Sequence, residues 1–136
     1  KLVFEKPTLA AKAFIIDKHS KVLIVKRAED DIQKPGIWEL PGGRLEDGEH
    51  PQQGLAREIK EETGVDIHVK NVLEVHHFTR DDGQKISMNV YLCEPQNVDV
   101  KLSDEHTEFE WVHISNVKNK LDSFFHKEVD EVIKQS

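Results

Sequence analysis

The chain has 136 residues, a formal net charge of −7 and a single cysteine, Cys93. This length suffices for one buried core and is too short for two, so we expect a single domain over residues 1–136. An acidic chain without a block of Lys and Arg is not expected to bind a nucleic-acid backbone. One cysteine excludes an internal disulfide, and a buried, unreactive thiol is its ordinary interpretation.

The N-terminal segment, KLVFEKPTLA, has neither a long apolar core nor a small-residue cleavage site, so no secretory signal is expected. No segment approaches the roughly 20 consecutive apolar residues of a membrane-spanning helix. These features predict a cytoplasmic protein without a membrane partner.

The first half of the chain predicts a β-hairpin, a third strand and a helix. Apolar runs at residues 8–16 and 22–27 are joined by the turn segment DKHSK. A polar loop at residues 28–36 leads into IWELPGG, where proline and two glycines force a sharp turn and leave the backbone accessible. The helix is predicted at residues 51–63, with proline at its start and Gly64 as its C-terminal cap. Gly54 in its interior costs about 0.5 to 1 kcal/mol relative to Ala, and close packing is one reason for it.

The second half predicts another hairpin, a strand and a last helix. The hairpin joins residues 65–80 to residues 85–95 through an Asp82-Gly83 turn. The strand is predicted at residues 108–114, and the helix at residues 117–134. The apolar stripe of that helix is interpreted as core contact: Leu121, Phe124, Phe125, Val129 and Val132. This element order predicts an α/β layered domain with a mixed sheet between helices.

The segment REIKEETG places an arginine and three glutamates within eight residues of the predicted helix. Glu58, Glu61 and Glu62 are spaced three and four residues apart, so their carboxylates share one face of the helix. Such charges repel unless a cation, a proton or solvent screens them, and carboxylate oxygens suit Mg²⁺ or Mn²⁺. A solvated helix face is the alternative interpretation. The Pro-Gly-Gly turn just before the helix favours the metal site.

These residues resemble the Nudix box at every fixed position of that motif. The match runs from Gly43 through Glu49 and Arg57 to Gly64 and Val65, so it covers 23 of 136 residues. The strand order around it is also similar to the Nudix fold. The resemblance implies that fold, a mixed β-sheet sandwiched between α-helices (α/β/α), and a MutT-like hydrolase.

The resemblance also implies a role for each residue of the motif. Arg57 is expected to hold Glu49 and shape the loop, with Gly43 and Gly64 as structural glycines. The expected ligands of Mg²⁺ or Mn²⁺ are Glu58, Glu61, Glu62, Glu105 and the carbonyl of Gly42 or Gly43.

The general base is expected among the same carboxylates. Glu105 or Glu61 is the first choice, and Glu58 is a further candidate. Glu105 lies in the loop segment DEHTEFEWV, which is similar to the loop in which the family often carries another acidic ligand or base. An ordinary loop carboxylate is the alternative interpretation for Glu105, because Asp104 and Glu108 are its neighbours.

Four further residues are candidates for substrate binding. Arg27 and Arg44 are expected to bind phosphates, although surface arginines are equally common. Trp38 and Phe78 are candidates for stacking on a base, although core packing is the commoner role of a strand aromatic. His76 and His77 alternate along one strand and cannot line one site. Five further histidines lack the spacing of metal ligands and are interpreted as non-ligands: His19, His68, His106, His113 and His126.

The function implied is hydrolysis of a nucleoside diphosphate linked to another group. The sequence most resembles the branch that hydrolyses (d)NTPs, including oxidised nucleotides, to NMP and pyrophosphate; an ADP-ribose or ADP-sugar pyrophosphatase is the alternative. His126 falls roughly at the position where the best-known members of the family carry an Asn that recognises the purine. A non-catalytic nucleotide-binding module and an isoprenoid diphosphate isomerase are further alternatives. The isomerase needs a catalytic cysteine, and Cys93 in the middle of a strand does not suit that role. The expected partner is a small nucleotide, and a homodimer is compatible.

Overall fold

The computed structural model of the protein describes residues 6–31 and 34–136. The first five residues of the N-terminal segment, and two residues of the predicted 28–36 loop, Ile32 and Gln33, lie outside the described residues. The elements in chain order are β1 Thr8–Ile15, β2 Lys21–Arg27, β3 Trp38–Glu39, β4 Gly42–Arg44, α1 Pro51–Thr63, β5 Ile67–Thr79, β6 Lys85–Pro95, β7 His106–His113 and α2 His126–Gln135. Two short 3₁₀ turns, Val117–Asn119 and Ser123–Phe125, precede α2. Within the described ranges, no helix has the length and apolar character that crossing a membrane requires.

The strands form two sheets. A four-stranded sheet has the order β4-β1-β6-β5, with β1 and β6 parallel and the other pairs antiparallel. A three-stranded antiparallel sheet has the order β3-β2-β7. The predicted α/β fold with a mixed sheet is therefore confirmed, and a second, smaller sheet accompanies the mixed one.

The first predicted hairpin is wrong beyond its turn. Ile16 pairs with Val22 across the turn, after which β1 and β2 enter different sheets. Both strands are central strands with a neighbour on each side. Their apolar runs reflect burial on both faces, which does not specify the partner strand. The second hairpin, β5 with β6, is confirmed.

Alternate residues of the mixed sheet face two cores, as the pleat of a strand requires. One core lies against α1 and includes Ala11, Ala13, Ile15, Leu55 and Ile59. The other lies against α2 and includes Ala10, Phe14, Val90, Val129 and Val132. The sheet is thus covered by a helix on each face.

Helix α1 has the predicted bounds and caps. Pro51 occupies the first turn, and the ring of His50 accepts a hydrogen bond from the backbone N–H of Gln52 (3.3 Å). Gly64 ends the helix at φ 72°, and its N–H donates to the carbonyl of Lys60, as an αL cap does.

The predicted helix at residues 117–134 is shorter than expected. Only His126–Gln135 is α-helical, and the segment before it consists of the two 3₁₀ turns. The carboxylate of Asp122 accepts a hydrogen bond from the N–H of Phe124 (3.0 Å) and so caps the second turn, because aspartate competes with continuous helix for backbone donors. The apolar stripe still reaches the core through Leu121, Phe125 and Val129.

Candidate active site

The segment between β3 and α1 places the backbone of Gly42, the first residue of β4, against a carboxylate of α1. Gly42 pairs with Lys12 of β1 and has φ +135°, a conformation that residues with a Cβ rarely adopt. A Cβ at this position would overlap the carbonyl oxygen of Ala11 and lie 2.8 Å from the Cα of Lys12. The N–H of Gly42 donates to Oε2 of Glu62 (2.9 Å). Glycine is therefore required here, and the turn fixes the position of Glu62.

Arg57 holds the loop before α1 through Glu49. Its Nε donates to Oε2 of Glu49 (2.7 Å) and its Nη2 donates to Oε1 (2.9 Å), a bidentate pair. These bonds lower the pKa of Glu49 to about 2. A Cβ on Gly54 would lie 2.7 Å from the Glu49 carboxyl group, so the close packing considered for Gly54 is present. The contact expected between Arg57 and Glu49 is thus in place.

An acidic cluster lies where α1 meets the loop before β7. Ligand atoms of Glu62, Glu105 and His106 all lie within 4.8 Å of one another, and Glu62 is only 4% exposed. Burial, followed by the hydrogen bond to Glu105, raises the pKa of Glu62 to about 9. Burial also raises the pKa of Glu58, although Arg57 acts in the opposite direction.

This cluster fits a divalent cation. A raised pKa means that a buried carboxyl group beside other carboxylates keeps a proton, which removes the repulsion between them. A bound cation would remove the same repulsion. The atoms that converge are carboxylate oxygens and one ring nitrogen, which are donors that Mg²⁺ or Mn²⁺ accepts. His106, interpreted from the sequence as a non-ligand, belongs to this group by position.

Glu61 lies apart from that group of three. Its side chain is 61% exposed, and its Oε2 accepts a hydrogen bond from Nη1 of Arg57 (3.1 Å). The helix face predicted from the spacing therefore divides into a buried side with Glu62 and an exposed side with Glu61.

A second buried ionic network adjoins the cluster, and the sequence did not predict it. Lys12 is 5% exposed; its Nζ donates to Oε1 of Glu39 (3.1 Å) and to the carbonyl of Gly42 (3.2 Å). Oε2 of Glu39 accepts from Nη1 of Arg27 (3.0 Å) and lies 2.9 Å from Nε2 of His106. A lysine inside the apolar run TLAAKAFII was the signal that could have revealed this network.

A cleft of about 560 Å³ opens beside these groups. The strand order β4-β1-β6-β5 separates its two sides, because Gly42, Gly43 and Arg44 belong to β4 at one edge and Phe78 belongs to β5 at the other. The lining residues include Lys12, Arg27, Arg44, Arg80 and Glu105 among the charged ones, and Phe78, Ile86, Met88, Phe124 and Phe125 among the apolar ones. The cavity therefore has a polar edge on the β4 side and an aromatic edge on the β5 side, and Arg80, which follows β5, brings a charge to the aromatic edge.

Three of the four residues expected to bind substrate line this cleft: Arg27, Arg44 and Phe78. Arg27 is already paired with Asp31 and Glu39, whereas Arg44 donates to the side chain of Gln84. Trp38 packs against the core on the α2 side, with Nζ of Lys120 5.0 Å from its ring centroid.

His76, His77 and His126 have hydrogen-bond partners outside the acidic cluster, and Cys93 is buried. His76 and His77 point to opposite faces, as predicted: His76 contacts Glu128, and His77 contacts Ser87. The ring of His126 bonds to the carbonyl of Leu121 (2.8 Å). Cys93 is buried, and burial raises the pKa of its thiol to about 12, which does not suit the catalytic cysteine of an isomerase.

Comparison with known proteins decides the family. The family model described as NUDIX domain matches residues 6–132. The chain belongs to the Nudix hydrolase family. The predicted family and the prediction of an enzyme are confirmed, and the Nudix box occupies β4, the following loop and α1. Nudix hydrolases depend on a divalent metal, and the Glu62 cluster could hold one.

Among relatives of this Nudix domain, the nucleoside triphosphatase NudI of Escherichia coli is 32% identical over 108 residues, which cover 72% of this chain and 77% of that protein. An ADP-ribose pyrophosphatase of Methanocaldococcus jannaschii is 35% identical over 105 residues, 76% of this chain and 60% of that protein. The crystal structure of a MutT protein from Methanosarcina mazei Go1 has a TM-score of 0.84 at 28% identity and covers 98% of both chains. The chain spans 22% to 60% of the length of four of the curated relatives it matches.

Proposed function

We propose that this Nudix domain hydrolyses a nucleoside triphosphate, with ribose or deoxyribose, to the nucleoside monophosphate and pyrophosphate. The observation that carries the proposal is the two-sided cleft beside the acidic cluster. Its aromatic edge, with Phe78, suits a base, and its polar edge, with Arg27 and Arg44, suits phosphates. Both edges border one cavity, so a single nucleotide can reach both.

We propose that the cation is Mg²⁺, which Mn²⁺ can replace, and that Glu58 and Glu62 hold it, with Glu105 as a ligand only if another carboxylate is the general base. The carbonyl of Gly42 and the carboxylate of Glu61 remain proposed as further ligands. When bound, the metal neutralises phosphate oxygens and lowers the pKa of a bound water.

The chain's own groups supply the remaining chemistry. Glu105 is the favoured general base, because its carboxylate faces Glu62 in the cluster, whereas that of Glu61 is engaged by Arg57. A carboxylate held in this position can accept the proton that the attacking water loses. The network of Lys12, Glu39, Arg27 and Asp31 has two cations and two anions, and its ion pairs hold the cationic groups of Lys12 and Arg27 in fixed positions at the cleft.

The second candidate substrate is ADP-ribose or an ADP-sugar. It is favoured by the 35% identity to the Methanocaldococcus jannaschii pyrophosphatase, and the identity to NudI favours the triphosphate. Both substrates carry a base and at least two phosphates, so both fit a cleft with an aromatic and a polar edge. We further propose that residues 1–136 form one domain whose partner is a small nucleotide.

A substrate panel with product identification tests this function. The purified protein is incubated with Mg²⁺ and each of the eight common (d)NTPs, 8-oxo-dGTP, ADP-ribose and an ADP-sugar, and the products are identified by mass spectrometry. We expect an NMP and pyrophosphate from at least one triphosphate. Turnover restricted to ADP-ribose or the ADP-sugar would replace the first candidate by the second, and absence of product from every compound would contradict both.

A further inference from the structure

A fully buried carboxylate joins α2 to β5 outside the acidic cluster. Glu128 is 0% exposed, and its Oε2 lies 2.9 Å from Nε2 of His76. Its Oε1 has no hydrogen-bond partner among the residues that the structure describes. A buried carboxylate is costly unless it is paired, and an apolar residue would fill the same space. The pair therefore calls for a role beyond packing.

The ring of His76 supports one wall of the cleft. Its centroid lies 4.5 Å from that of Phe124, with 37° between the ring planes. Phe124 in turn meets Phe78 and Phe125 edge to face, at centroid distances of 5.5 Å and 5.0 Å. The three phenylalanines line the cleft, whereas His76 stands behind them, so Glu128 holds the ring on which the wall rests.

The backbone at Phe124 is a short 3₁₀ turn that leads directly into α2. Phe124 lies in the single 3₁₀ turn Ser123–Phe125, which the carboxylate of Asp122 caps. The Phe124 ring contacts three aromatic rings and lies 5.5 Å from Nζ of Lys34. Among these ring neighbours, His76 is the one whose side chain is itself fixed by a hydrogen bond.

We propose that His76 and Glu128 form a positioning pair that sets the orientation of Phe124 as an aromatic wall for the substrate's base. The inference rests on the proposed function, because it assigns the base to the aromatic edge of the cleft. Both residues of the pair act through Phe124 and have no contact with the acidic cluster. Loss of the pair weakens binding of the base and leaves hydrolysis of the bound phosphates unchanged.

The test compares three variants. Glu128→Leu removes the acceptor for His76, whereas Glu128→Gln keeps both the shape and an acceptor oxygen. Lys127→Gln is the matched control, because Lys127 also joins α2 to β5, through an exposed pair with Glu74 (3.0 Å). For each variant, KM and kcat are measured with the preferred nucleoside triphosphate. Calorimetry gives the dissociation constants of a non-hydrolysable analogue of that nucleotide and of ribose 5-triphosphate, which has no base.

For Glu128→Leu we expect KM and the dissociation constant of the nucleotide analogue to rise about two- to tenfold, as loss of one aromatic contact predicts. Its kcat and its affinity for ribose 5-triphosphate should stay unchanged, and the other two variants should match the unmodified protein. Equal weakening toward both ligands, or unchanged nucleotide affinity, would overturn the inference.

The test also covers a variant that fails to fold and a protein that turns over no nucleotide. If Glu128→Leu does not fold, His76→Gln replaces it. Glutamine retains a hydrogen-bond donor for Glu128 and removes the ring that contacts Phe124. Unchanged nucleotide affinity in this variant would also refute the positioning role. If the unmodified protein binds the analogue without turning over any nucleotide, the proposed function fails. The affinity comparison then still decides the role of the pair.

Discussion

At Glu39, burial and ion pairing act in opposite directions on one carboxyl group. Burial by itself would raise its pKa, but Lys12, His106 and Arg27 together lower it to about 2. The carboxylate, 6% exposed, is therefore charged at neutral pH and neutralises a lysine and an arginine. Such a group contributes stability only while it stays ionised.

This opposition predicts a pH dependence for Glu39→Gln. The folded pKa lies below the unfolded value near 4.5, so the contribution of Glu39 is present above about pH 4.5 and is lost as the pH falls toward 2. At pH 7 the variant leaves the buried Lys12 without a counter-charge and Arg27 with Asp31 alone, and the free energy of unfolding should fall by roughly 3 kcal/mol. The difference between the two proteins should shrink as the pH falls from 4.5 toward 2. Urea unfolding at pH 7 and pH 3 measures both values.

The control for this comparison is Glu110→Gln in the exposed pair with Lys120. It should change the free energy of unfolding by less than about 1 kcal/mol at either pH, as exposed pairs do. A Glu39→Gln variant that loses the same stability at pH 3 as at pH 7 would contradict the conclusion that Glu39 is ionised and stabilised by its three partners.

Among the elements, helix α1 was the one that the sequence predicted most completely. Its proline start, its glycine end and the apolar positions of Leu55 and Ile59 are local signals, which do not depend on a partner elsewhere in the chain. The first hairpin and the last helix were mispredicted because their form depends on distant partners. β1 pairs with β6 some 80 residues later, as the register of Leu9 with Ser87 illustrates, and periodicity carries no information about such pairing.

Helix α1 also yields a prediction in which a usual rule changes sign. Replacing a helix-interior glycine by alanine ordinarily stabilises a helix by about 1 kcal/mol. At Gly54 the new Cβ would lie 2.7 Å from the Glu49 carboxyl group and 2.8 Å from Cδ2 of Leu45. Gly54→Ala should therefore displace Glu49 from Arg57 and lower the free energy of unfolding by about 1 kcal/mol, despite the gain in helix propensity.

Urea unfolding of Gly54→Ala and of Gln53→Ala measures this reversal. Gln53 is the exposed neighbour on the same helix, and its replacement should change the free energy of unfolding by less than about 0.5 kcal/mol. A Gly54→Ala protein more stable than the unmodified one would show that the loop tolerates the extra methyl group.

Over the whole molecule, the sequence predicted the chemistry of the site better than its shape. Glu49 and Arg57 belong to one continuous segment, and the contact expected between them is present. The cleft is built from both sheets and a 3₁₀ turn. Lys12, Glu39 and Phe124 join it only through folding, so no local pattern assigned them to it.

The division of α1 into two sides is also a property of the folded molecule. Spacing placed Glu58, Glu61 and Glu62 on one helix face. Packing against Gly42 and the loop before β7 buries Glu62, and leaves Glu61 exposed beside Arg57. The acidic cluster therefore depends on how α1 docks on the sheet as much as on the helix itself.

The central claim is that the buried Glu62 cluster holds the cation that hydrolysis requires. The most direct test is the Mg²⁺-dependent turnover of the preferred nucleotide by Glu62→Gln, beside Glu94→Gln, which alters an exposed glutamate paired with Lys70. Loss of a metal carboxylate predicts a fall in kcat of at least about a hundredfold, with normal folding by circular dichroism and unchanged turnover in the control. Undiminished turnover by a folded Glu62→Gln protein would contradict the assignment of the metal site.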